Sequence, residues 1–178
     1  MNPLIVYQSE TGNTIDVAEA MAAAIQADLK AADVLTSADL EGRTLVGLGS
    51  GIYTMQHMTQ ILGLVPRLPV DCRVFIFSTS GLAGRMPASA HRFTHLRLRS
   101  ALRRRKITIL DEWDCPGQVK GGILGWFGLY RGRPGEADIE AAARFAQRMI
   151  GKADSAPFDG APSNGVQSNG VPSKEIGS

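Results

Sequence analysis

The chain has 178 residues, a hydrophobic content of 44% and a formal net charge of +2, which suits one globular domain with a core of its own. No apolar run is long enough to span a bilayer, and the N-terminus lacks the basic and apolar segments of a secretory signal, so we expect a cytoplasmic protein. Its two cysteines have no metal-ligand spacing and form no disulfide framework, which argues against a zinc protein or a small secreted scaffold.

The first predicted elements are a strand and a helix joined by a polar turn. Residues 4–7 form the continuous apolar run typical of a strand buried on both faces, and apolar residues recur at helical spacing from Ile15 onward. The first N–H groups of a helix have no intrahelical partner and carry partial positive charge, so the turn could bind a terminal phosphate through hydroxyls, amides and backbone rather than through a cation. An ordinary capped turn remains the alternative from this stretch alone. The residues of the turn are Ser9, Glu10, Thr11, Gly12, Asn13 and Thr14.

Strands and helices continue to alternate along the chain. Periodicity predicts further strands at 32–35, 44–48, 73–77 and 107–113, and helices within 55–68 and over 88–104 and 136–150. In the helix at 88–104 we expect Phe93, Leu96 and Ala101 to face inward. This alternation predicts a doubly wound α/β domain with a five-stranded parallel sheet and helices on both faces.

Two more polar, glycine-bearing turns follow predicted strands. They comprise Ser50, Gly51, Ile52, Tyr53 and Thr54 after the third strand, and Ser78, Thr79, Ser80 and Gly81 after the fourth. Ligands of doubly wound sheets bind beyond the carboxyl ends of the strands, where all three turns should lie. We therefore predict one site formed by the three turns.

Basic residues are concentrated in one segment. Seven of the 19 lysines and arginines lie from Arg92 to Lys106, which predicts a basic surface. This surface is either solvated or a docking face for an acidic partner at Arg99 and Arg103.

The remaining candidates for chemistry have no evident partners. We expect His57, His91 and His95 to be solvated or on a helix surface, and Cys115 to be a structural thiol. The segment 121–135 is rich in glycines and large apolar side chains, Trp126 among them. It serves as extra core, as a lid, or as an apolar landing site for a substrate or membrane. Residues 153–178 are rich in Gly, Ser, Pro and Asn and should be disordered.

Five stretches carry a resemblance to a known family. Over residues 1–152 the chain resembles the flavodoxin family through "IVYQSETGNT", "VGLGSGIYT", "FIFSTSG", "CPGQ" and "GRPGEADI". The resemblance implies a flavodoxin-like sheet of order 2-1-3-4-5 and non-covalent FMN. It also implies that the 9–14 turn holds the phosphate, that 50–54 and 78–81 hold the isoalloxazine, and that the chain works with a redox partner protein.

Two features depart from the family's pattern. The turn "STSGLAG" has no aromatic residue to cover the flavin, and the chain is basic, whereas the family's soluble carriers are typically acidic. A phosphate-binding NTPase loop would require a lysine after Gly12, which is absent. A receiver domain would require acidic residues directly after the first strand and an aspartate at the end of the third, where the chain has Gln8, Ser9 and the glycine-rich residues 49–51.

The functional expectation is electron transfer or flavin-mediated reduction. One alternative is an FMN-dependent reductase or dehydrogenase of a quinone-like or porphyrin-like substrate. The other is a flavin-less interaction module whose basic face binds an acidic protein or an anionic membrane. We do not expect nucleic acid to be the partner.

Overall fold

The computed structural model describes residues 1–81, 91–118 and 132–155, with only the backbone given at 91 and 92. The greater part of the 121–135 segment, Trp126 included, and the tail from residue 156 onward lie outside the described residues. The hypotheses of a lid and of a disordered tail therefore stay predictions.

A parallel sheet positions every element discussed below. Its strands run in the order β2-β1-β3-β5-β6, with a short antiparallel strand, β4, paired to the end of β3. Without that short strand the order is the predicted 2-1-3-4-5. The strands are β1 (Pro3–Gln8), β2 (Asp28–Ala31), β3 (Leu45–Tyr53), β4 (Gln56–His57), β5 (Arg73–Ser80) and β6 (Thr108–Pro116).

Helices cover both faces of this sheet, as predicted. One apolar cluster joins α1 and α5 to the sheet through side chains such as Met21 and Phe145, and a second joins α2 and α4 to the opposite face through Ile61 and Leu102. The helices are α1 (Asn13–Ile25), α2 (Thr59–Leu64), α3 (His91–Thr94), α4 (Leu96–Arg104) and α5 (Glu136–Ser155).

Two glycines of β3 make room for the core of its neighbour. A Cβ at Gly47 would lie 2.5 Å from the ring of Phe75, and one at Gly49 would lie 2.1 Å from the ring of Phe77. The rings of Phe75 and Phe77 thus fill the space over β3 that side chains at positions 47 and 49 would need. This packing fixes how β3 lies against β5, the two strands whose carboxyl ends carry the second and third turns.

The predicted strand at 32–35 is wrong. The second strand lies at Asp28–Ala31, paired in parallel with β1. It is an edge strand with no buried residue, so no apolar run marks it. Ala32 and Leu35, whose hydrophobicity suggested the strand, reach the core from the turn that follows.

The inward face predicted for the helix at 88–104 is also wrong at two of its three positions. Phe93 and Leu96 are 68% and 53% exposed, whereas Leu98 and Leu102 are fully buried. The helix is interrupted between Thr94 and Leu96, and this break changes which side chains face the sheet.

The last helix runs further than predicted. It extends to Ser155 through Gly151 and buries Ala153 in the core. Residues 153–155, which we assigned to the disordered tail, are therefore part of the folded domain. One glycine in a long helix costs only about 1 kcal/mol, so it need not end the helix.

Candidate functional site

A cavity of about 240 Å³ lies at the carboxyl end of the sheet and is lined by residues from all three predicted turns. Thr11 and Asn13 come from the first turn, and the other two turns contribute 51–54 and 79–81. Gly117 and Gln118, which follow β6, complete the lining and were missing from the predicted set, although "CPGQ" was among the resembling stretches. The structure thus brings the three turns together at one place.

The N-terminus of α1 presents backbone donors at this place. Gly12 precedes the helix with φ +93°, a conformation that L side chains rarely adopt, and no side chain caps the helix. The Gly12 N–H donates to Ser9 Oγ at 3.1 Å, and Ile15 N–H donates back to the Gly12 carbonyl. The N–H groups of Asn13 and Thr14 have no intrahelical partner by helix geometry. They are the donors suited to an anion.

The side chains of Asn13 and Thr14 have other partners. Asn13 Nδ2 donates to the Gln118 carbonyl at 2.8 Å, and the Thr14 and Thr79 hydroxyls are 2.8 Å apart in a buried hydrogen bond. Both side chains tie the first turn to its neighbours. The sequence analysis assigned both side chains to a ligand. Side chains that can donate to a phosphate can equally well form hydrogen bonds between loops, and the residue type does not distinguish the two uses.

Tyr53 lies over the second turn, with its side chain at the wall of the cavity. A Cβ on Gly51 would lie 2.8 Å from Tyr53 Cε2, so the ring packs directly on that glycine while 39% of the residue stays exposed. Burial and the carboxylate of the exposed Glu10 raise the pKa of Tyr53, while a hydrogen bond with Thr11 acts in the opposite direction. The first and second turns therefore meet at this tyrosine.

A row of polar side chains crosses the sheet just below the cavity. Strand register aligns Gln8 with Ser50, Ser50 with Ser78, and Ser78 with Asp114. Aligned residues of neighbouring strands share a face, so all four belong to the face covered by α2 and α4. Ser78 Oγ donates to Asp114 Oδ1 at 2.7 Å. We call these residues the polar row.

Two histidines lie against the polar row, contrary to the expectation that they are solvated. His57 on β4 and His95 before α4 are 2% and 0% exposed, with ring centroids 4.8 Å apart. His57 Nδ1 lies 2.9 Å from Ser50 Oγ, and His95 Nε2 lies 2.9 Å from Ser78 Oγ. No local pattern predicted this pairing, because strand register brings the partners together. The side chain of His91 lies outside the described residues.

Glu112 anchors the second histidine. Its Oε2 lies 3.0 Å from His95 Nδ1, and Arg99 forms a two-pronged ion pair with the same carboxylate. Burial by itself would raise the pKa of Glu112, but the hydrogen bonds from His95 and Arg99 outweigh it and lower the pKa to about 2. The carboxylate is therefore ionised and accepts from both neighbours.

This ion pair changes the predicted docking face. The Arg99 side chain is only 13% exposed and is held by Glu112, so its guanidinium is not available to a partner protein. Arg103 and Arg104, at the end of α4, are exposed. A basic surface on this helix therefore consists of Arg97, Arg103 and Arg104 and excludes Arg99.

His57 is neutral. Burial, then the neighbouring His95, lower its pKa to about 3, against an opposing effect of Glu112. Its Nε2 atom has no hydrogen-bond partner among the described residues. An unpartnered ring nitrogen this deeply buried is unusual.

Cys115 is fully buried in the core cluster beneath α1 and α5, and burial raises the pKa of its thiol well above the usual range, as expected of a structural cysteine. Within 1–81, 91–118 and 132–155, histidines, cysteines and carboxylates form no group of three or more that could hold a metal. No helix in that part of the chain is long and apolar enough to cross a membrane.

Strand order and a strand-end cavity formed by three polar turns define a flavodoxin-like α/β protein. An uncharacterised protein of Methanocaldococcus jannaschii is 33% identical over 153 residues, which cover 84% of this chain and 99% of that protein. No family model matches the chain.

Solved structures show the same fold. A flavodoxin from the domain Archaea has a TM-score of 0.62 and 15% identity, covering 86% of this chain and 99% of its own. Oxidised flavodoxin 2 from Bacillus cereus has a TM-score of 0.61 and 15% identity, covering 85% and 99%. The chain therefore has the flavodoxin fold and belongs to one family with the Methanocaldococcus jannaschii protein.

Proposed function

We propose that this protein binds FMN at the strand-end cavity and takes part in electron transfer or flavin-mediated reduction. The observation that carries the proposal is the convergence of the three turns on one cavity beside the uncapped N-terminus of α1. The flavodoxin fold of the chain and of its structural neighbours adds support.

The residues present fit the two ends of the cofactor. Backbone N–H groups at Asn13 and Thr14, with the hydroxyl of Thr11 nearby, would hold the phosphate through hydrogen bonds and the helix dipole. The half-exposed ring of Tyr53 would supply an apolar face for the isoalloxazine. Asn13 and Thr14 would act through their backbone, because their side chains are bonded to Gln118 and Thr79.

Bound FMN would supply the redox chemistry by accepting electrons and a proton at its ring. The chain's own part is to bind and orient the cofactor and to limit access of water to it. The cavity offers space and donors for one phosphate-bearing ligand, and we propose FMN rather than FAD, since nothing in the described residues provides a second site for an adenosine half.

The test is the absorption spectrum of the purified protein with mass analysis of the released cofactor. We expect a yellow protein that releases FMN, or a colourless one that is reconstituted by FMN with a defined stoichiometry of one per chain. A colourless protein that gains no flavin absorbance on addition of FMN would overturn the proposal and favour the flavin-less interaction module.

The proposal includes a redox partner protein. Arg103 and Arg104 are exposed at the end of α4 that points away from the histidine pair, and their charge would favour an acidic partner and make the encounter salt-sensitive. The alternative of a quinone or porphyrin reductase rests on an open flavin face and on the 121–130 segment. Because that segment lies outside the described residues, the alternative gains no support here.

A further inference from the structure

A groove of about 600 Å³ runs between β6 and α5, near the amino end of β6 and away from the strand-end cavity. Its lining consists of Ile109, Leu110, Arg148, Gly151, Lys152 and Ser155. Ile109 packs against the core cluster on one face of the sheet and Leu110 against the cluster on the other, and both are half-buried. The groove therefore follows the outer edge of the sheet, where β6 has β5 as its single neighbour among the described strands. We call it the edge groove.

Gly151 leaves the edge groove open on the side of α5. The α5 residues of the lining are spaced at i, i+3, i+4 and i+7, so they share one face of the helix. A Cβ at Gly151 would meet no atom within 4 Å, so the packing of the described residues does not require a glycine there. Glycine is unfavourable in a helix interior. Its presence is explained if another group occupies the space above it.

The chain itself brings such a group to the edge groove. Ser155 lines the groove and is the last described residue, and the sequence continues with Ala, Pro, Phe and Asp. The third of these, Phe158, is the single aromatic residue of 156–178. A proline disfavours the helical conformation for the residue before it, so Pro157 favours a chain that leaves the helix beside the groove.

The distances allow Phe158 to turn back over Gly151. Three residues of extended chain span at most about 10 Å. Along a helix axis, Gly151 and Ser155 are about 6 Å apart. The aromatic ring can therefore reach the part of the edge groove that lacks a side chain.

The charge on the rim of the edge groove complements the residue after Phe158. Lys152 Nζ pairs with Asp111 Oδ2 at 2.5 Å. The guanidinium of Arg148 lies over the ring of Phe145, 5.6 Å from its centroid, and no carboxylate of the described residues forms an ion pair with it. Asp159 would bring a negative charge to this cation.

We propose that residues 156–159 dock in the edge groove of their own chain, with Phe158 over Gly151 and Asp159 beside Arg148. The docked segment covers the outer edge of β6, which is otherwise a template for pairing with another chain. The tail that we predicted to be disordered then begins at Gly160. The inference does not depend on the binding of FMN.

The first experiment looks for the contact itself by NMR of the full chain with labelled methyl groups. We expect nuclear Overhauser contacts between the ring protons of Phe158 and the methyl groups of Ile109 and Leu110. Phe158→Leu removes the ring and should change the chemical shifts of those methyl groups. Val166→Ala, an apolar substitution further along the tail, is the matched control and should leave the shifts unchanged.

The second experiment measures unfolding of the full chain in urea. Phe158→Ala should raise the equilibrium constant of unfolding about tenfold, because it removes the apolar ring from the groove. Gly151→Leu fills the same space from the helix, and in that background Phe158→Ala should change the constant by less than about twofold. Gly151→Ala is the control for helix propensity. It leaves most of the groove open, so the effect of Phe158→Ala should remain.

Three results would overturn the inference. The first is an absence of contacts between Phe158 and the methyl groups of β6. The second is an equal effect of Phe158→Ala in the Gly151→Ala and Gly151→Leu backgrounds. The third is a mixed sample of differently labelled chains in which the contacts occur between chains and not within one, because a second copy would then occupy the groove.

Discussion

Replacement of Glu112 by glutamine should change how the domain responds to acid. In the folded protein the pKa of Glu112 is lowered from its ordinary value of 4.5 to about 2, by hydrogen bonds from His95 and Arg99 that outweigh its burial. A folded-state pKa below the unfolded one means stabilisation that is present above about pH 4.5 and is lost as the pH falls toward 2.

The size of the effect follows from the same values. At about 1.4 kcal/mol per pKa unit, the lowered pKa of Glu112 corresponds to at most about 3 kcal/mol of stability at neutral pH. The side chain is 14% exposed, and some solvent screening reduces the expected effect to about 2 kcal/mol. Glu112→Gln keeps the shape and an acceptor oxygen, but leaves the Arg99 guanidinium beside it without a counter-charge.

The assay is urea unfolding of wild type and Glu112→Gln at a series of pH values from about 7 to 3. We expect the variant to be less stable by about 2 kcal/mol at pH 7 and to lose less stability than wild type as the pH falls. Glu140→Gln is the matched control, because Glu140 forms an exposed pair with Arg144 and should contribute less than about 0.5 kcal/mol. Equal losses on acidification in wild type and Glu112→Gln would refute the reasoning.

Two further predictions concern stability alone. Thr14→Val should lower the free energy of unfolding in urea by about 1–2 kcal/mol, because it leaves the buried Thr79 hydroxyl without its partner. Adding Thr79→Val should recover most of that loss. A double variant as unstable as the two changes added together would argue against the hydrogen bond. Leu98→Ala should cost about 2–5 kcal/mol and Leu96→Ala less than about 0.5 kcal/mol, since the first side chain is buried and the second is 53% exposed. Similar losses in the two leucine variants would contradict the position of the helix break.

Local patterns in the sequence were sufficient for the class of fold and for the convergence of the three turns on one cavity. The apolar runs of β1, β3 and β5 are continuous because these strands are buried on both faces, so periodicity alone predicted a parallel sheet with helices on both sides. Polar turns with glycine after those strands had to meet at one edge, because carboxyl ends of parallel strands do. The sequence therefore predicted the cavity without any knowledge of side-chain contacts.

Features that depend on register or helix phase could not be predicted in this way. The edge strand β2 has no apolar run, and the break before Leu96 determines which leucines of α4 are buried. Ser50, Ser78 and Asp114 lie in one row only because three strands are aligned at those residues, and His57 and His95 become partners only when β4 and α4 are folded over that row. Hydrogen bonds between residues far apart in the sequence, such as Ser78 and Asp114 at 36 positions, are created by tertiary packing. Only the tertiary structure shows that His57 and His95 are buried beneath the site. A polar ring is buried at low cost only when it has hydrogen-bond partners, and folding brings those partners to the two histidines.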